Sequence, residues 1–239
     1  MTHNLCFKRG MGASRFWKGA GAISTEMVLS MTLFSSALTV LVFLIRPRVR
    51  QYKKSDLKVF DVIKGLTNER NTRIMSFVTQ FGSHRFLVPA NLSLISYFLF
   101  FRRKSWFSIR VASIGLSSLG LMFLFKWIFK RKRPIEGLIK AKGLSFPSGH
   151  ALMSTTFYGL LIYIISQTIS DKTNRTILII LLLMLIQSIG FSRVYLRVHY
   201  ASDVLVGYIA GVIWLLVLLK VLNGIEEFNK QKNLPVVAI

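Results

Sequence analysis

Six apolar segments, separated by polar or charged stretches, limit most strongly how this chain can fold. Each has roughly 15 to 20 residues, close to the ~20 that a helix needs to cross a bilayer. The segments are Met27–Ile45, Phe86–Phe101, Val111–Phe125, Ala151–Ser170, Thr176–Phe191 and Val204–Leu219. A mean hydropathy of +0.51 is also too high for an ordinary soluble domain. We therefore predict an all-α integral membrane protein, a six-helix bundle formed by a single domain over residues 1–239.

The stretch Arg46–Arg85, between the first two apolar segments, mixes charged and apolar side chains. The apolar ones recur near helical spacing, at Leu57, Phe60, Val62, Ile63 and Leu66. This pattern is typical of a helix that lies in the membrane interface, so we predict one amphipathic interfacial helix here.

The charge balance points to anionic partners, since 32 Lys and Arg face 9 Asp and Glu, a formal net charge of +23. Lipid headgroups, phosphate-bearing substrates and nucleic acid all fit this charge. The six apolar segments favour the lipid bilayer, and we expect no nucleic acid. The acidic residues are few and no HExxH or DxD motif occurs, so we expect no divalent metal and no cofactor. Cys6 is the sole cysteine, which excludes an intrachain disulfide. The sequence does not indicate an oligomeric state.

Three polar clusters stand at the ends of apolar segments: KWIFKRKRP (Lys126–Pro134), PSGH (Pro147–His150) and SRVYLRVHYASD (Ser192–Asp203). If successive segments cross the membrane in alternation, the ends of the third and fifth and the starts of the fourth and sixth share one side. The topology alone therefore predicts that all three clusters meet at one membrane surface.

The second and third clusters contain groups suited to a tetrahedral oxyanion. Ser148 and Gly149 precede an apolar helix, whose N-terminal N–H groups and dipole attract anions. Arg193 offers a planar fork of donors that matches phosphate oxygens.

The first cluster adds further cations. Lys126 and Arg133 are seven residues apart and would share one helix face if the helix continues to Pro134. Four other basic residues are interpreted as charges that face water or lipid headgroups: Lys130, Arg131, Lys132 and Arg197.

His199 and Asp203 are four residues apart, so on a helix the carboxylate can hold the imidazole. A carboxylate on one ring nitrogen leaves the other nitrogen free to attack phosphorus, and His150 is then a second acid–base group. Each cluster alone has a structural explanation, as a stop-transfer run, a helix start or a satisfied His–Asp pair. Their convergence on one face favours a catalytic site.

The motifs K-x6-RP, PSGH and SR-x5-H-x3-D resemble those of the type 2 phosphatidic acid phosphatase family, which includes lipid phosphate phosphatases and is related to vanadium haloperoxidases. All three occur in order with the expected spacing, between Lys126 and Asp203. The resemblance implies a six-helix, metal-independent membrane phosphatase that works through a phosphohistidine. It implies substrates such as undecaprenyl pyrophosphate, phosphatidylglycerol phosphate or phosphatidic acid.

Carried over by position, the resemblance makes His199 the nucleophile, Asp203 its partner and His150 the general acid. The phosphate-binding residues it implies are Lys126, Arg133, Ser148, Gly149 and Arg193. Three other functions stay open: a phosphotransferase that uses the same phosphohistidine, a vanadate-dependent peroxidase, and a non-enzymatic transporter or lipid-binding protein.

The family usually places its site outside the bacterial plasma membrane, and we expect the same here. The distribution of charge opposes this expectation. More than half of the Lys and Arg residues fall on the motif side, which the positive-inside rule would place in the cytoplasm.

Overall fold

The structure is a computed structural model that describes residues 53–103 and 105–232, apart from the side chains of residues 53, 229, 231 and 232. Within these ranges it contains seven α-helices and no strand, and all of them belong to one compact unit. The α-helices are α1 Lys53–Lys64, α2 Glu69–Val78, α3 His84–Ser96, α4 Ser105–Phe129, α5 Gly149–Thr168, α6 Lys172–Tyr195 and α7 Ala201–Lys232. The all-α prediction is thus confirmed for the described part of the chain.

Helices α4, α5, α6 and most of α7 are long and apolar enough to cross a membrane. They correspond to the last four predicted segments. Helices α4 and α6 extend theirs by a few residues at each end, α5 ends two residues early at Thr168, and α7 continues well beyond Leu219 to Lys232. Large apolar side chains on α4 point outward, with Leu116 73% and Trp127 69% exposed. Such exposure is costly in water but natural against lipid tails, which supports the multi-pass membrane assignment.

The other two predicted spans have different outcomes. The segment Phe86–Phe101 forms α3, which contains Pro89, followed by a π-helical turn over Tyr97–Phe101. Its 13-residue α-helix is shorter than a bilayer span. The segment Met27–Ile45 lies outside the described residues, so the count of six helices stays a prediction.

The segment between the first two predicted spans contains two helices, α1 and α2, instead of one. A 3₁₀ turn over Thr79–Gly82 follows α2. Helix α1 buries Asp56, Phe60 and Ile63, whereas two other apolar residues of the predicted pattern, Leu57 and Val62, are 47% and 78% exposed. That α1 lies in the membrane interface remains a prediction.

Helix α7 packs closely against α5 because two glycines face it. A Cβ on Gly207 would lie 2.9 Å from the carbonyl oxygen of Ser148, and one on Gly211 would lie 3.0 Å from that of Leu152. The small residues therefore let the two backbones approach, as is common where helices pack in lipid. Gly207 and Gly211 are four residues apart, which is the GxxxG spacing typical of closely packed membrane helices.

The four spanning helices place the C-terminal ends of α4 and α6 beside the N-terminal ends of α5 and α7, as alternation predicted. A core cluster at this end joins Phe60 and Ile63 of α1 to Val198 and Tyr200 of the α6–α7 loop. At the opposite end, the buried Arg110 of α4 donates to Glu226 Oε2 of α7 at 2.5 Å. The polar contacts of α1 and the α6–α7 loop thus lie at the end where the motifs meet.

We expect Gly211→Ala to lower the thermal stability of the protein in detergent. The added methyl group would lie 2.8 Å from Thr155 Cβ, and overpacking of this kind costs about 1–3 kcal/mol. Gly224→Ala is the matched control on the same helix, because nothing lies within 4 Å of its Cβ position. Equal melting temperatures for the two variants would contradict close α5–α7 packing.

Candidate active site

His199 lies in the short loop between α6 and α7, and it is 1% exposed. Its Nδ1 faces the carboxylate of Asp203 in the first turn of α7, 3.6 Å from Oδ2. The loop turns sharply at Arg197, which has a φ of 54°. The predicted His–Asp pair is therefore present, although His199 precedes the helix and does not stand on it.

The other ring nitrogen of His199 faces a cation. Arg133 Nη1 lies 3.1 Å from His199 Nε2. A guanidinium can only donate, so Nε2 accepts and the ring proton belongs on Nδ1, toward Asp203. Burial lowers the pKa of His199 to about 4, although the nearby Asp203 carboxylate acts in the opposite direction. At neutral pH the imidazole is thus uncharged, and its Nε2 lone pair accepts the hydrogen bond from Arg133.

The Asp203 carboxylate is completely buried and receives donors from three parts of the chain. Oδ2 accepts from the backbone N–H of Tyr200 at 2.9 Å and from the hydroxyl of Ser145. Oδ1 accepts from Arg131 Nη1 at 2.6 Å. A buried carboxylate needs such donors to remain ionised, and these donors fix its orientation toward His199.

The assignment of Arg131 to a solvated or headgroup-facing charge is wrong. Its side chain is 10% exposed and bridges two carboxylates, Asp56 and Asp203. Arg197 is also mostly shielded, at 14% exposed. Lys130 and Lys132, by contrast, are exposed as expected.

The prediction that one helix face carries Lys126 and Arg133 is also wrong. Helix α4 ends at Phe129, and Lys130 adopts a φ of 48°, which stops the helix before Pro134. The chain beyond it is irregular. Arg133 reaches the site from this irregular segment, where its Nη1 also donates to the carbonyl of Val198 at 2.7 Å.

Three cations lie close together in the site: Arg133 contacts His199 Nε2, and Lys126 and Arg193 lie within electrostatic range of Arg133. Burial lowers the pKa of Arg133, an effect that Asp203 opposes, and the guanidinium stays charged at neutral pH. Lys126 Nζ donates to the carbonyl of Leu144 at 2.6 Å. Arg193 is buried at the end of α6, and its charge acts on His199. An anion beside Nε2 would therefore meet strong positive potential.

Arg193 is held in place by a residue outside the sequence motifs. Its Nη1 donates to Thr79 Oγ1 at 2.7 Å, and both residues are buried. Thr79 begins the 3₁₀ turn, whose Gly82 lies against His150: a Cβ there would be 3.3 Å from the imidazole Cδ2. The turn thus covers one side of the candidate site.

The PSGH motif forms the start of α5. Ser148 is the N-cap, and its Oγ accepts from the backbone N–H of Ala151 at 3.4 Å. The backbone N–H of Ser148 donates to the carbonyl of Asp203 at 3.0 Å, which joins the starts of α5 and α7. Gly149 has a packing role as well, because a Cβ would come within 2.5 Å of the Met122 sulfur. His150 lies within electrostatic range of Arg193, His199 and Arg133.

The structure thus brings together all eight residues that the sequence predicted, and it adds four that the sequence analysis did not assign to the site. These are Asp56, Thr79, Arg131 and Ser145. Ser145 stands next to the PSGH motif and Arg131 two residues before Arg133, so proximity to a motif was a usable signal. Asp56 and Thr79 lie far away in sequence and carry no such signal. Among the described residues, no group of His, Cys, Asp and Glu side chains could hold a metal ion.

A family model described as the PAP2 superfamily matches residues 22–226. Among curated proteins, the chain is 29% identical to phosphatidylglycerophosphatase B of Bacillus subtilis (strain 168). This similarity extends over 161 residues, which is 66% of this chain and 76% of the relative.

Two solved structures are similar to this one. The first is a transmembrane PAP2-type phosphatidylglycerolphosphate phosphatase from Bacillus subtilis, with a TM-score of 0.66 and 25% identity, covering 87% of this chain and 98% of the other. The second is Aquifex aeolicus LpxE, with a TM-score of 0.55 and 25% identity, covering 69% of this chain and 94% of the other.

Because His199 is buried and neutral, we expect part of the free energy of unfolding to be lost as the pH is lowered. Its pKa is lowered from 6.5 to about 4, so the unfolded chain binds a proton at this side chain before the folded protein does. The free energy of unfolding should therefore fall as the pH is lowered across this window, by roughly 3 kcal/mol in total.

We expect His199→Gln to remove this pH-dependent contribution to the free energy of unfolding. Melting temperatures in detergent, measured for both proteins from about pH 7 to pH 4, should show the stability advantage of the parent protein shrinking as pH falls. Parallel curves would show that His199 is not held neutral by burial.

Proposed function

Because the chain belongs to the PAP2 superfamily and is a membrane lipid phosphatase, we propose that it hydrolyses a lipid phosphate monoester or pyrophosphate through a phosphohistidine at His199. The observation that carries this proposal is the orientation of His199. Its Nε2 lies 3.1 Å from Arg133, and its Nδ1 faces Asp203 at 3.6 Å. A phosphoryl group in contact with Nε2 would therefore touch a cation, while the developing imidazolium would be stabilised by a carboxylate.

In the first step the Nε2 lone pair attacks phosphorus in line, and the bond from phosphorus to the leaving oxygen breaks. His150 gives its proton to that oxygen, so the alcohol or lipid phosphate leaves with its charge reduced. The phosphoryl group is then on His199, whose positive ring pairs with Asp203. In the second step His150 accepts a proton from water as the water oxygen attacks phosphorus, and phosphate leaves His199 neutral again.

The cations supply electrostatic stabilisation in both steps. Lys126, Arg133 and Arg193 would bind the phosphoryl oxygens, whose charge grows in the transition state. The start of α5 adds backbone N–H groups at Gly149 and His150 that precede the intrahelical hydrogen bonds. Ser148 orders this helix start.

Phosphatidylglycerol phosphate is the substrate that we propose first. The support is the similarity to the Bacillus subtilis phosphatidylglycerophosphatase B over two thirds of this chain. Undecaprenyl pyrophosphate and phosphatidic acid offer the same phosphoryl chemistry on different lipids, so both belong in the assay. A phosphotransferase differs only in the acceptor that replaces water.

The test is phosphate release from these three lipids by purified protein in detergent with excess EDTA. We expect release to be fastest from phosphatidylglycerol phosphate and to fall by at least about 10³-fold in His199→Ala, since removal of a nucleophile has effects of this size or larger. Acid-labile, alkali-stable label from ³²P-substrate should appear on the parent protein and be absent from the variant.

Lys132→Ala is the matched control, because it changes an exposed side chain in the first motif and should leave phosphate release unchanged. Folded His199→Ala protein that still releases phosphate would reject the nucleophile assignment. Phosphohistidine without phosphate release, until an alcohol is added, would identify a phosphotransferase.

We also propose that the site faces the outside of the plasma membrane, as the resemblance implies. In a Cys6→Ser background, Lys140→Cys reports on the loop between α4 and α5, and Ser170→Cys on the opposite end of the bundle; both positions are exposed. We expect a membrane-impermeant maleimide to label Lys140→Cys in intact cells and Ser170→Cys only after permeabilisation. The reverse pattern would place the site in the cytoplasm.

A further inference from the structure

Helix α1 is not one of the four apolar spans, yet its buried Asp56 carboxylate contacts residues around Asp203. Arg131 Nη2 donates to Asp56 Oδ2 at 2.7 Å, and Arg131 Nη1 donates to Asp203 Oδ1 at 2.6 Å. The Asp56 side chain is 4% exposed. One guanidinium thus bridges two carboxylates in a region shielded from water, where charge-assisted hydrogen bonds are strong.

Asp56 also contacts the start of α7 directly. Its Oδ1 accepts from the backbone N–H of Ser202 at 3.0 Å, and its Oδ2 accepts from the Ser202 hydroxyl at 2.8 Å. Because Ser202 immediately precedes Asp203, these bonds fix the turn from which the Asp203 side chain projects. Asp56 therefore acts on Asp203 by two routes, through Arg131 and through the backbone.

Aromatic packing fixes the plane of the guanidinium. The Arg131 Cζ lies 4.1 Å from the centroid of the Tyr200 ring, and that ring stacks on Phe60 of α1 with centroids 5.8 Å apart. A lysine could not stack and bridge two carboxylates at once, because its single ammonium lacks the planar fork.

We propose that Asp56 and Arg131 are a positioning pair that holds the Asp203 carboxylate in the orientation needed by His199. The inference rests on the proposed nucleophilic role of His199. Arg131 binds Oδ1, while Oδ2, which accepts from Ser145 and Tyr200, is the oxygen that faces His199 Nδ1. Because Asp56 shares the guanidinium, Arg131 orients Asp203 without compensating its whole charge, and that charge stabilises the phosphorylated imidazole.

The decisive variant is Asp56→Asn, which keeps the size of the side chain and an oxygen for Ser202 but removes the charge. We expect kcat for phosphatidylglycerol phosphate to fall about 10- to 100-fold while KM stays within about twofold, because small misplacements of catalytic groups have effects of this size. Asp61→Asn is the matched control, since Asp61 is an exposed aspartate on the same helix. It should behave as the parent protein.

Arg131→Lys should also lower kcat with little change in KM. The double variant Asp56→Asn/Arg131→Lys should be about as slow as the slower single variant, because both residues act through Asp203. A fall in kcat of less than about fivefold for Asp56→Asn, or a loss carried by KM, would overturn the proposal. If Asp56→Asn does not fold, Ser202→Ala takes its place under the same criterion.

The outcome separates this inference from the proposed function. Inactive His199→Ala with fully active Asp56→Asn would leave the phosphohistidine mechanism intact and remove the positioning pair. Active His199→Ala would instead remove the mechanism on which the pair depends.

Discussion

The buried carboxylate of Asp203 is the group around which the end of the molecule that carries the three motifs is organised. The carboxylate accepts hydrogen bonds from Arg131, from the Ser145 hydroxyl and from the backbone N–H of Tyr200. The backbone carbonyl of Asp203 accepts from the N–H of Ser148 at the start of α5. An ionised carboxylate without donors would be very unfavourable at this depth. The irregular segment after α4, the helix start and the α6–α7 loop are therefore joined through one residue.

The two ring nitrogens of His199 face groups of opposite charge. The Asp203 carboxylate lies on the Nδ1 side and Arg133 lies on the Nε2 side, so the ring stands between a negative and a positive group. Burial keeps the imidazole neutral, which preserves a lone pair where the positive potential would attract a phosphate. The contacts that stabilise the loop are thus also those on which the proposed phosphoryl transfer would depend.

Close packing of α5 against α7 brings the starts of these two helices together at the site. In a bilayer the hydrophobic effect does not drive one apolar helix against another, so close packing has to do so. Gly207 and Gly211 let α7 approach α5 at the level of Ser148 and Leu152. As a result the start of α5, with Ser148 and His150, lies beside the start of α7, with Asp203.

The spanning helices α4 to α7 and the convergence of the three motifs could be predicted from the sequence, because apolar length and alternation across a membrane depend on local composition. The sequence also identified His199 and Asp203, whose spacing lets them meet within one turn. Tertiary structure decided where α4 ends, and it turned Arg131 inward while Lys132 stayed exposed. It also recruited Asp56 and Thr79, which lie 75 and 114 residues along the chain from Arg131 and Arg193, their partners. Local pattern cannot distinguish neighbouring basic residues, because which of them is buried depends on a carboxylate brought close only by folding.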